Sequence, residues 1–301
     1  MKDFVLYSST EIPRKICEEE FEKYTKNEFP FKQNYDGINH YYATCPECEN
    51  PIQIKGLYSS DRKYGAHTGK SIDGLNPFIY LNYIYCPRAV QGKHVPKDER
   101  KPIATPKDIA VYNTLRDNFD LAVAFAKKHL GYCISDSRAK KYLTTYYKSQ
   151  GWLYPHSTVN NIPFMLFYLQ PAFNPYGLLI KKDSELEKSV LKTKDLKLEP
   201  QSGKLGEFYN KLLPNGRQYM FLTLMLWNHQ FKEDANGLLK ESLNIEISKD
   251  ISQNPQKREW QTLFDKKIEI PELEFVKFIN SKTTYRNKDL RDYAHHLMPP
   301  L

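Results

Sequence analysis

Two thiols on a two-residue spacer, Cys45-Pro46-Glu47-Cys48, constrain this chain more than any other stretch of it. Thiolates three positions apart on a tight turn can grip one divalent ion while backbone amides point at the sulfurs. After thirty-seven intervening residues, Tyr85-Cys86-Pro87-Arg88-Ala89 has the shape of a second such turn, with Ala89 where its last Cys would stand. Three thiolates leave one tetrahedral position open. His67 lies midway, in the glycine-flanked Tyr64-Gly65-Ala66-His67-Thr68-Gly69, with eighteen residues between it and the nearest Cys on either side. His94 and His40 compete for the same place. Four protein ligands would close the site and favour a structural Zn²⁺, whereas three would admit water and make hydrolysis thinkable.

On these residues, the stretch 42–90 resembles a zinc ribbon or treble-clef module of the Cys-Cys-His-Cys kind, over about one sixth of the chain. The resemblance implies a small zinc-ribbon-like domain holding Zn²⁺ through Cys45, Cys48, His67 and Cys86. The chain departs from an ordinary ribbon in its long insertion between the two turns and in its missing fourth Cys. Five cysteines are an odd number, unlike the dense, even set of a small disulfide-stapled secreted domain. Cys17 and Cys133 lie outside the cluster and read as core or surface thiols. The apolar run at the N-terminus is too short for a signal-peptide core. The longest strongly apolar run, Met220–Trp227, is eight residues, against about 20 for a membrane span. The sequence therefore predicts a soluble, cytoplasmic protein with no membrane partner.

The charge is unevenly spread. The whole chain carries 44 Lys and Arg against 36 Asp and Glu, a net of +8. Residues 1–100 balance, with fourteen of each sign, while residues 101–150 hold nine basic side chains and four acidic ones. That block also carries the strongest helix signals. Thr105-Pro106-Lys107-Asp108 is a capping pattern with Pro at the first helical position. Ile109, Tyr112, Leu115, Phe119, Ala122, Ala126 and Leu130 then recur at helical spacing up to Gly131. A second helix is predicted from Ser135 or Asp136 to about Ser149. Arg138, Lys140, Lys141 and Lys148 surround its apolar positions and are the candidate phosphate contacts of a nucleic-acid-binding helix.

Past Gly151, Trp152–His156 and Ile162–Leu169 read as extended, and with the preceding helix they are compatible with a helix-turn-helix plus wing. The stretch from Lys181 to Lys204 reads as linker-like. Leu205–Leu213 and Gln218–Phe231 read as helices, the second buried and central because it is apolar on nearly every side. Leu243–Ile247 and Ile268–Ile270 alternate like half-buried strands. The fold class expected is α+β: a small zinc-ribbon-like domain over 1–100, a basic helical domain over 104–190 and a mixed, mainly helical domain over 203–301, with short strands throughout.

Other readings fall away on residue grounds. Gly65-Ala66-His67-Thr68-Gly69-Lys70-Ser71 is one residue short of a phosphate loop and lacks the strand that leads into one, so no nucleotide cofactor is expected. No Gly-x-Ser-x-Gly elbow occurs. The sequence supports no named reaction. It points first to a zinc-containing protein that binds DNA or RNA, second to a protein-interaction scaffold with a structural zinc, and last to a metal-dependent hydrolase or nuclease.

Overall fold

The computed structural model describes residues 1–59, 62–89, 95–194, 196–216, 220–252, 257–281 and 286–301. It is an α+β protein of two compact units. One comprises residues 1–109, 153–160 and 231–240; the other comprises 110–152, 161–230 and 241–301.

The first unit opens with the short pair β1 (Asp3–Phe4) and β2 (Arg14–Lys15), followed by α1 (Glu18–Thr25). Three glutamates fill the first turn of α1 and suit its positive dipole end. An antiparallel meander follows: β3 (Lys32–Tyr35), β4 (Ile38–Thr44), β5 (Pro51–Lys55) and β6 (Tyr64–His67), in that spatial order. The β3–β4 hairpin turns at Asp36 and Gly37, both at positive φ. Register fixes the two faces of this sheet. Tyr42 pairs with Gln53, and Ile52 with both Ala43 and His67. Ala43, Ile52 and Ile54 therefore share one face and bury against Phe4, Ile16 and Phe21. The short helix α2 (Tyr80–Ile84) carries the chain to Cys86.

Helix α3 (Pro106–Leu130) starts where the sequence predicts and is kinked at Asn118, whose φ of −131° is not helical. The Asn118 side chain donates to the Thr114 carbonyl at 3.2 Å, occupying the acceptor that the helical backbone would use. Helix α4 (Asp136–Lys148) is capped by the Ser135 hydroxyl, which accepts from the Arg138 amide. A 3-10 turn (Gly151–Leu153) and α5 (Ile162–Tyr168) come next. These two segments were expected to be extended, as the strands of a wing, and neither is. Every residue of α5 is buried, and a continuous apolar run carries no periodicity to separate a buried helix from a buried strand.

The rest is richer in sheet than the sequence suggests. After β7 (Leu179–Lys181) come α6 (Glu185–Leu191), β8 (Leu196–Pro200), α7 (Gly203–Phe208) and β9 (Tyr209–Pro214). The stretch read as a linker thus holds a helix and a strand, and the helix predicted over 205–213 ends at Phe208. Strand β9 pairs with β7 on one side and β8 on the other. Most of Gln218–Phe231, expected to be a central helix, lies instead in β10 (Leu222–Glu233), which joins β11 (Leu239–Asp250) and β12 (Trp260–Glu269) in a three-stranded sheet. Leu222, Leu224 and Leu226 are buried on alternate positions, so the Leu-rich run obeys a period of two despite its helix propensity. The region predicted to be mainly helical with short strands therefore contains two strands of twelve residues. Helices α8 (Glu274–Ile279) and α9 (Lys288–Leu297) complete the chain. No helix among the described residues is long and apolar enough to cross a membrane.

Candidate metal centre

Four elements bring the cysteine cluster together. Cys45 follows β4, and the turn after it is closed by the Glu49 amide donating to the Cys45 carbonyl at 3.0 Å. Glu49 sits at φ 60°, a left-handed position that lets the turn fold back on itself. Cys48 lies within that turn. His67 is the last residue of β6, paired with Ile52 on the buried face of the sheet. Cys86 follows α2 in a second turn, one residue tighter, closed by the Ala89 amide on the Cys86 carbonyl at 3.0 Å. The Ala89 of the imperfect second knuckle is buried and offers no ligand.

The ligand atoms of Cys45, Cys48, His67 and Cys86 all lie within 4.8 Å of one another, and the group could hold a metal ion. The Cys45 and Cys86 sulfurs are 3.8 Å apart, and the Cys48 sulfur is 3.2 Å from His67 Nε2. A tetrahedral ion with sulfur bonds of about 2.3 Å and a nitrogen bond of about 2.0 Å would require edges of about 3.8 and 3.5 Å. The observed spacing is close to that shape. All three cysteines are buried, and the ring of Tyr83 closes edge-on against His67 at 5.2 Å.

Electrostatics within the cluster are lopsided. Burial alone would raise the Cys45 thiol, but hydrogen bonds from Cys48, Cys86 and His67 hold it well below the usual thiol range. Cys48 is pushed well up, first by burial and then by Cys45. Cys86 is pushed up chiefly by its neighbours Cys45 and Cys48. Three thiolates cannot share this volume without a cation, and a divalent ion would reverse the order by stabilising all three.

A polar shell holds the cluster in place. Asn50, itself buried, accepts from the Ile79 amide at 2.7 Å and donates to the Ile79 carbonyl at 3.1 Å, tying the first knuckle to the start of α2. Asn82 donates to the Cys48 carbonyl at 3.3 Å and accepts from Lys101 at 3.2 Å. Lys101 in turn pairs with Asp108 at 2.7 Å, both side chains almost wholly enclosed. The second oxygen of Asp108 accepts the Thr105 amide and hydroxyl, each at 2.8 Å, as the capping pattern predicts. On the other flank Arg88 forks onto Asp3 at 2.6 and 2.9 Å and reaches Glu47 at 3.4 Å.

The chain matches no protein-family model, no curated protein and no solved structure.

The remaining sequence candidates have different fates. His40 stands on the opposite face of the sheet from His67, its Nδ1 meeting the Gln53 amide at 3.0 Å, and it is no part of the cluster. His94 lies outside the described residues. Cys17 and Cys133 are partly exposed thiols apart from the group. Two of the four basic residues of α4 are engaged by neighbours. The Arg138 guanidinium lies 4.9 Å over the Phe173 ring, and Lys140 pairs with Asp289 at 2.6 Å. Lys141 and Lys148, seven residues apart and so on one helix face, are exposed. Sequence reasoning missed Asn50, Asn82, Lys101 and Arg88. Asn50 and Arg88, each two residues past a knuckle cysteine, stand near enough to have been found; Asn82 and Lys101 do not.

Proposed function

We propose that this is a zinc-stabilised nucleic-acid-binding protein in which the metal is structural. The observation that carries the zinc half is the set of three buried sulfurs and the imidazole nitrogen of the half-buried His67. Soft thiolates with one imidazole suit Zn²⁺, and four protein donors leave no position for a reacting water. The function then lies on the surface, not at the metal, and a hydrolase reading loses its support. The nucleic-acid half rests on the basic block, of which Lys141 and Lys148 remain exposed beside Thr145.

Mobility-shift titrations against duplex DNA, single-stranded DNA and RNA at 50–300 mM salt test this half. Contacts from two lysines give a log–log salt slope of roughly −2 on a duplex, and the double substitution Lys141→Glu, Lys148→Glu weakens duplex binding at least tenfold. Absence of binding to every oligonucleotide defeats the reading. The engagement of Arg138 and Lys140 within their own unit favours a second reading, a zinc-stabilised protein-interaction module. A partner that is retained after nuclease treatment distinguishes it.

A further inference from the structure

The sheet that backs the cysteine cluster has a second, outward face. By strand alternation this face carries Gln33, Tyr35, Ile38, His40, Tyr42 and Gln53, while Tyr41, Ala43 and Ile52 point into the core. A meander with one solvated face should show polar residues there. Instead the rings of Tyr35 and His40 lie 5.6 Å apart, and those of His40 and Tyr42 stack at 6.3 Å and 25°. Tyr35 is 48% exposed and Ile38 62%, whereas Tyr42, at 7%, is buried at the base of the row. The three rings line an open groove of about 430 Å³, whose far wall is the loop Thr68–Asp73.

We propose that this groove binds single-stranded nucleic acid by stacking bases on Tyr35 and His40, with the buried Tyr42 ring supporting His40 from beneath. This deepens the nucleic-acid reading above and rests on it. A row of rings on an antiparallel sheet offers flat faces to successive bases without regard to sequence. The volume is that of a small-ligand site, on the scale of one or two nucleotides. Gln53, whose amide meets His40 Nδ1, fixes the imidazole at the groove floor, and Lys70 offers an ammonium at its wall for a phosphate. Lys55, two residues beyond Gln53, continues the same face with a second exposed cation. One carboxylate, Asp73, offsets part of that charge. The site accordingly leans on ring contact more than on charge, in keeping with the neutral balance of residues 1–100.

Fluorescence anisotropy with labelled twelve-residue oligo-dT and oligo-U tests the proposal on the full-length protein. Tyr35→Ala and His40→Ala should each weaken single-strand binding at least fivefold, and Tyr35→Phe, which keeps the ring, should stay within twofold of the parent. The salt slope should be shallow, about −1.4 for two lysines on a single strand. Circular dichroism melts keep the comparison fair, since Tyr35 is half exposed and its truncation leaves the fold intact. Single-strand binding that survives both alanine variants but is lost with Lys141→Glu, Lys148→Glu overturns the groove and leaves the nucleic-acid reading standing. Binding to duplex alone has the same consequence. No binding to any oligonucleotide overturns both.

Discussion

The substitution Asp108→Ala removes the anchor of the shell around the metal centre, and its effect can be worked from contacts. Asp108 is wholly buried, with one oxygen on Lys101 and the other on the Thr105 amide and hydroxyl. Truncation therefore deletes an ion pair and a helix cap together. Breaking one partner out of a buried pair costs about 3–5 kcal/mol, because the remaining charge stays enclosed. Losing a cap costs about 1 kcal/mol. The two overlap at the same carboxylate, so about 4 kcal/mol is the expected total. Burial already lowers the Lys101 ammonium from its usual range, and in the variant the amine can shed its proton, which keeps the loss from growing further. In a urea titration followed by circular dichroism, the midpoint should fall by about 1–2 M. The double variant Lys101→Met, Asp108→Asn removes both charges while keeping volume and a cap acceptor, and it should recover at least half of that loss. A single variant that loses under about 1 kcal/mol, or a double variant no better than the single, would refute the buried-pair argument.

Two further outcomes follow from other groups. Burial lowers the Lys97 ammonium to about 8, so between pH 8 and pH 10 the unfolded chain binds a proton that the folded one has shed. Stability should therefore rise with pH across that window, and Lys97→Met should flatten the rise; a rise unchanged in that variant assigns it to another group. In the second unit, Arg286 clasps the buried Asp120 at 2.9 and 3.0 Å and donates to the Asp117 carbonyl at 2.8 Å. Arg286→Ala should cost about 2 kcal/mol and speed hydrogen exchange in α9 above all; unchanged exchange over 288–297 would contradict it.

How much of this was legible in the sequence differs between local and distant determinants. The knuckle spacing and His67 were readable because a tight turn and a glycine-flanked histidine are local signals. The start of α3 was readable because Thr105, Pro106 and Asp108 carry their capping chemistry within four residues. By contrast, Leu222–Glu233 was misread because Leu and Met favour helices in isolation, whereas pairing with β11 decides the matter. Ile162–Tyr168 failed for a related reason: a run buried on all sides has no polar stripe to report its period, although Pro163 at the first turn was a helix-start signal. The partners of Arg138 and Lys140 could not be read, since nothing local to either announces Phe173 or Asp289.

The central claim is that Cys45, Cys48, His67 and Cys86 together hold one zinc ion. Metal analysis joined to X-ray absorption at the zinc edge tests it in a single sample of the purified protein. The account predicts one zinc per chain, with three sulfurs at about 2.3 Å and one nitrogen at about 2.0 Å. Folded protein without metal, or a zinc shell dominated by oxygen, would contradict it.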